Sequence, residues 1–144
     1  MRVVYSLRQD LDTNPKRVAD TQARTLDNRD LPGGLKGTYG LFGSEQWWEN
    51  LNRGVIPTTT LTGIITRTYR EGMHNESLGF EMRLHDGSSF KWSCVSNHRR
   101  DLKFYQVGKS LSFKYATEPL KNPVKRQDGY ETTTQITLEI AIEE

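Results

Sequence analysis

The residues with the most chemical potential in this 144-residue chain are three histidines, one cysteine, a pair of glutamates around a turn, and a glycine pair ahead of a helix. His74, His85 and His98 stand in a turn, at a hairpin tip and at the start of a loop or helix. None belongs to an HExxH arrangement or lies beside a second cysteine, so the usual ligand spacing of a zinc site is missing. Cys94 would need a histidine and an electropositive pocket to become a nucleophilic thiolate. It shares the inward register of Phe90 and Trp92, which predicts a buried, inert thiol that packs as a small hydrophobe. Glu71 and Glu76 flank REGMHNES. Such a pair does general acid–base work only when its surroundings separate the two pKa values, and loop carboxylates are ordinarily solvated. Gly40 and Gly43, in GLFGSE, lead into a helix start as a phosphate cradle would. The spacing is not GxxxxGK[ST], no lysine follows, and Glu45 and Glu49 would repel a phosphate. The chain is therefore expected to have no catalytic residues, metal site or cofactor, and not to be an enzyme.

The elements that would position these residues are mainly strands, because period-two alternation places every second side chain on one face. Leu78, Phe80, Met82 and Leu84 alternate with Gly79, Glu81, Arg83 and His85. Asp86-Gly87 then supplies the positive φ of a tight hairpin turn. Phe90, Trp92 and Cys94 alternate with serines and Lys91 in the returning strand. Beyond Gly108, Leu111, Phe113 and Tyr115 share a face until Pro119, where the strand is expected to stop. Ile136, Leu138, Ile140 and Ile142 form the last strand. Residues 58–70 read as one long strand with Gly63 as a bulge or bend, and Asn97 as the cap of a short helix running to about Tyr105.

The order over residues 58–143, a long bent strand, a hairpin, a short helix, a fourth strand, a long loop and a fifth strand, resembles the OB-fold. The fold class expected is thus mainly β: a five-stranded OB-like barrel with one or two short helices, the alternatives being a β-sandwich or a twisted open sheet. The core expected on this reading is Ile65, Phe80, Met82, Leu84, Phe90, Trp92, Leu111, Phe113, Ile136, Leu138 and Ile140. Residues 1–57 read as an N-terminal extension packed on a barrel domain of residues 58–144. Val3, Val4, Tyr5 and Leu7 can add an edge strand, residues 10–37 read largely as loop, and Ser44 caps a helix through Leu51 that plugs the barrel. The stretch GLFGSEQWWENLNRGVIP with GIITR is similar to small bacterial proteins to which no activity is attached.

Charge narrows the partner. The formal net charge is +2; residues 1–57 carry eight Lys/Arg against seven Asp/Glu and the remainder twelve against eleven, so neither half is a charged tail. A lone cysteine forms no internal disulfide, which suits a reducing cytoplasm. No apolar run reaches the roughly 18 residues of a membrane span, and the N-terminus lacks the apolar core of a signal peptide. The predicted function is binding of a macromolecule, first another protein, as an inhibitor, immunity or accessory protein. Trp47 and Trp48 are the candidate contacts, because helix neighbours about 100° apart cannot both enter one core. The alternative is single-stranded nucleic acid, held by Arg99, Arg100 and Lys103 and by Lys121, Lys125 and Arg126 in the loop before the last strand. An enzyme without a recognisable motif is the third reading.

Overall fold

A computed structural model describes residues 1–144. Strands take 46% of the residues and helices 23%, which makes the fold mainly β. Along the chain come β1 (Arg2–Ser6), α1 (Leu7–Thr13), α2 (Pro15–Leu26), β2 (Gly33–Leu35), α3 (Glu45–Asn52), β3 (Thr58–Glu71), β4 (Ser77–Leu84), β5 (Ser89–Ser93), a 3₁₀ helix (Arg99–Phe104), β6 (Ser110–Arg126) and β7 (Gly129–Ile142). The five expected strands are all present, and the proposed N-terminal edge strand is β1. The contacts divide the chain into two compact units, Met1–Asp10 with Thr60–Lys114 and Thr137–Glu144, and Leu11–Thr59 with Tyr115–Ile136. Each draws on residues from both sides of position 57.

In the first unit the strands follow the order β1-β7-β6-β3-β4-β5 in a curled, antiparallel half-barrel. Ile65, Phe80, Met82, Leu111, Phe113, Leu138, Ile140 and Ile142 are buried, as alternation requires. Leu84, Phe90 and Trp92 are only half-buried. Phe90 and Trp92 belong to the last strand of the order, which no neighbour covers on its far side. Their rings still stack, 5.9 Å apart and 10° from parallel, with Phe113 4.9 Å from Phe90. Gly63 does not itself bear the bulge, since the register slips between Ile65 and Arg67. A Cβ at Gly63 would stand 2.4 Å from the Arg83 carbonyl oxygen, so glycine there answers to close backbone approach.

No ladder closes the barrel between β1 and β5. Asn97 joins β1 to the chain beyond β5 instead: its amide donates to Val4 O (2.9 Å), its Oδ1 accepts from Ser6 N (2.7 Å) and its Nδ2 donates to Ser6 O (3.1 Å). The helix cap expected at Asn97 is thereby corrected. The 3₁₀ helix starts two residues later and carries the buried Asp101, bound by Arg2 Nε at 3.2 Å and Nη2 at 3.1 Å.

In the second unit the expected loop over residues 10–37 is largely helical. Pro15 suits the first turn of α2, where its missing N–H costs nothing. Yet α2 buries no residue, and polar bonds hold it: Gln22 Nε2 donates to Phe42 O (2.9 Å), and Lys121 Nζ to the carbonyls of Thr25 (2.7 Å) and Asp27. The half-buried face of α2 recurs at helical spacing through Arg17, Val18, Thr21, Gln22 and Thr25, but Val18 is the only strongly apolar residue on it. Pro119 does not stop β6, which runs on to Arg126, so the expected long loop is the β6–β7 hairpin. Inward positions are Leu111 and Phe113 but then Ala116 and Glu118, a one-residue slip that leaves Tyr115 half-buried. It falls where β6 passes from one unit to the other.

Candidate protein interface

The outer face of β3, β4 and β5 in the first unit gathers the residue types that anchor protein interfaces. Past the bulge, Arg67 pairs with Glu81, Tyr69 with Gly79 and Glu71 with Ser77; Lys91 and Ser93 of β5 pair with Glu81 and Gly79. Period two puts these on one face. Gly79 lacks a side chain where the Tyr69 ring lies: a Cβ there would meet the ring at 2.7 Å. The Arg67 guanidinium stands 4.7 Å from the Tyr69 centroid and its Nε binds Glu81 Oε1 at 2.6 Å. That bond holds the Glu81 carboxyl below its usual pKa. Burial, with Glu71 nearby, raises the Tyr69 phenol. An aromatic ring fixed flat on the sheet by an arginine offers a large contact area with little side-chain entropy left to lose.

Beside this face lies a cleft of about 660 Å³, lined by Arg70, Glu71, Glu76, Cys94, Arg99, Leu102 and their neighbours. The two glutamates come together here, but each is engaged: Glu71 Oε1 accepts from Ser93 Oγ at 2.5 Å, and Glu76 Oε2 from His74 N at 2.9 Å. Burial and the Glu71 charge push the Cys94 thiol up to about 12, so it stays protonated at neutral pH. His74, His85 and His98 join no group of potential metal ligands.

The other expected contacts have structural work or lie apart. Trp47 is fully buried, capped through Ser44 Oγ and packed edge-on to Phe42 at 5.1 Å, and its Nε1 donates to the buried Glu118 at 3.1 Å. Trp48 is half-buried, 4.9 Å from Trp47. Of the basic residues, Arg99 lines the cleft, Arg100 is exposed, and Lys103 sits over the Phe104 ring at 5.4 Å. Lys121, Lys125 and Arg126 are in β6, not in a loop, and belong to the second unit; Lys121 braces α2, Arg126 pairs with Glu131 at 3.0 Å, and Lys125 is exposed. Arg99, Arg100 and Lys103 belong to the first unit. The sequence reading missed Tyr69 with Gly79 as a unit. Its signal was a glycine on a strand's outer face with an aromatic in the preceding strand.

A family model described as "Immunity protein RhsI2" matches residues 1–143. No curated protein matches. Among solved structures, the mitochondrial single-stranded DNA-binding protein Rim1 of S. cerevisiae is similar at 14% identity and a TM-score of 0.37, over 60% of this chain and 94% of that one.

Proposed function

We propose that this chain, which belongs to the immunity protein RhsI2 family, neutralises its Rhs toxin by binding it, without catalysis of its own. The match over residues 1–143 is the observation that carries this reading, and it agrees with the protein-binding inhibitor expected from composition and motifs. The binding surface we favour is the β3–β4–β5 face with Arg67 and Tyr69 at its centre, because tyrosine and arginine dominate interface hot spots. A single half-buried cysteine that needs no disulfide suits action in the cytoplasm, and no helix is long and apolar enough to cross a membrane.

The test is calorimetric titration of the purified toxin domain with the wild-type chain and with Tyr69→Ala, alongside growth of cells co-expressing toxin and chain. Binding and rescue are expected from the wild type. The Tyr69→Ala variant should lose about 2 kcal/mol of affinity, the level that defines a hot spot. Absence of both binding and rescue with the wild type would sink the reading. Full affinity of Tyr69→Ala would move the interface off this face.

A further inference from the structure

Strand β5 ends the sheet, and the register of its single ladder decides which backbone groups are left over. Leu84 N donates to Ser88 O at 2.8 Å and Cys94 N to Leu78 O at 2.9 Å, with Phe80↔Trp92 and Met82↔Phe90 between them. Antiparallel pairs alternate between bonded and non-bonded, so residues 88, 90, 92 and 94 bond to β4. The N–H and C=O groups of Ser89, Lys91 and Ser93 therefore point away from the sheet, and no backbone or side-chain group of the chain bonds to them. Three donors and three acceptors, at the two-residue spacing of an extended chain, are left for an incoming strand.

The edge leads at its Ser93 end into the cleft, whose wall continues through Cys94, Val95 and Ser96. Two carboxylates and two guanidinium groups line it, but their hydrogen-bonding capacity is used unequally. Glu71 and Glu76 are already hydrogen-bonded, whereas Arg70 and Arg99 form no ion pair or side-chain hydrogen bond. Leu78 and Leu102 add apolar wall. The short edge and the exposed Lys91 disfavour pairing with a second copy of itself, the usual protection of a free strand edge.

We infer that the toxin is held by strand addition: an extended toxin segment pairs with Ser89, Lys91 and Ser93 and sets a hydrogen-bond acceptor in the cleft against Arg70 and Arg99. This rests on the immunity reading and names how its partner is recognised. Main-chain bonds supply affinity without regard to sequence, and the open donors of Arg70 and Arg99 supply the selection.

Amide hydrogen exchange on the wild-type chain, free and with the purified toxin domain, tests it. In the free chain the amides of residues 89, 91 and 93 should exchange fast and those of 90, 92 and 94 slowly. In the complex the fast set should slow by at least about tenfold, the effect of one hydrogen bond each. Lys91→Pro removes an outward donor and spares the β4 ladder; it should weaken toxin binding about tenfold or more, with Lys91→Ala, which removes only the charge, weaker in effect. If the toxin binds while residues 89, 91 and 93 stay fast, strand addition is overturned and the immunity reading stands. No complex with the wild type takes down both. Slow exchange at these amides in the free chain, with a dimer mass by light scattering, assigns the edge to a second copy and overturns the inference.

Discussion

Glu118 is a carboxyl 1% exposed, with Trp47 Nε1 donating to it at 3.1 Å and no cation paired with it. Burial raises its pKa above the ordinary carboxylate value, and the Trp47 bond, which favours the ionised form, offsets this only in part. With the folded pKa above the unfolded value of about 4.3, the folded state holds the proton more tightly than the unfolded chain. The group's contribution to stability is thus complete below about pH 4.3 and is lost as the pH rises through the folded pKa. One proton limits the slope to about 1.4 kcal/mol per pH unit. Glu118→Gln keeps the carbonyl acceptor for Trp47 and cannot ionise, so subtracting its stability from that of the wild type cancels every other titrating group. Urea unfolding followed by tryptophan fluorescence, from about pH 4 to about pH 8, measures that difference. The Gln variant should gain on the wild type as pH rises and then run parallel to it. Two stabilities that stay parallel across the whole range would refute the buried neutral acid. Glu118→Leu should cost about 1–3 kcal/mol even at low pH, because the indole N–H is left unpaired.

The remaining expectations are simpler. Cys94, with its thiol raised to about 12, should alkylate roughly a thousandfold more slowly near neutral pH than a free cysteine of pKa about 8.5; a rate near that of glutathione would place it in an open, polar setting. Arg2→Met strands the buried Asp101 and should cost about 1–3 kcal/mol in urea unfolding, with Asp101→Asn in the same chain restoring part of it. Gly63→Ala, whose methyl would stand 2.4 Å from a backbone carbonyl that cannot swing aside, should destabilise by about 1–3 kcal/mol, and a melt unchanged from the wild type would show that β3 and β4 can separate there.

Alternation carried most of the strand reading, since each strand of the first unit has one buried face. The β4–β5 hairpin followed from Asp86-Gly87, and α3 from Ser44, whose side chain caps the helix at Trp47 N. What escaped had a period written mostly in polar residues. Helix α2 turns Arg17, Val18, Thr21, Gln22 and Thr25 inward at helical spacing without burying any of them fully, so apolar letters alone do not show it. Pro119 read as a stop because a proline cannot donate to a ladder. It sits in β6 nevertheless, with its carbonyl accepting from Lys36 N at 3.1 Å. The slip between Phe113 and Ala116 placed Tyr115 on the wrong face for the same reason: alternation cannot report a residue at which its own phase changes.

Trp47 and Trp48 illustrate why the site was harder to find than the fold. Composition marks tryptophan as an interface residue, but burial decides, and Trp47 is spent on Phe42 and Glu118. Binding needs no fixed spacing of the kind that betrays a catalytic set, only a surface, and the surface here depends on register. Tyr69, Gly79 and Ser93 form one row across three strands, so Tyr69 lies about 10 Å from the β5 edge at the usual strand separation. A standard interface covers about 800 Å² on each partner, a disc about 16 Å in radius. A partner centred on that edge would therefore reach Tyr69 and Arg67 as well as the cleft, so the proposed face and the proposed strand addition fit within a single contact of ordinary size.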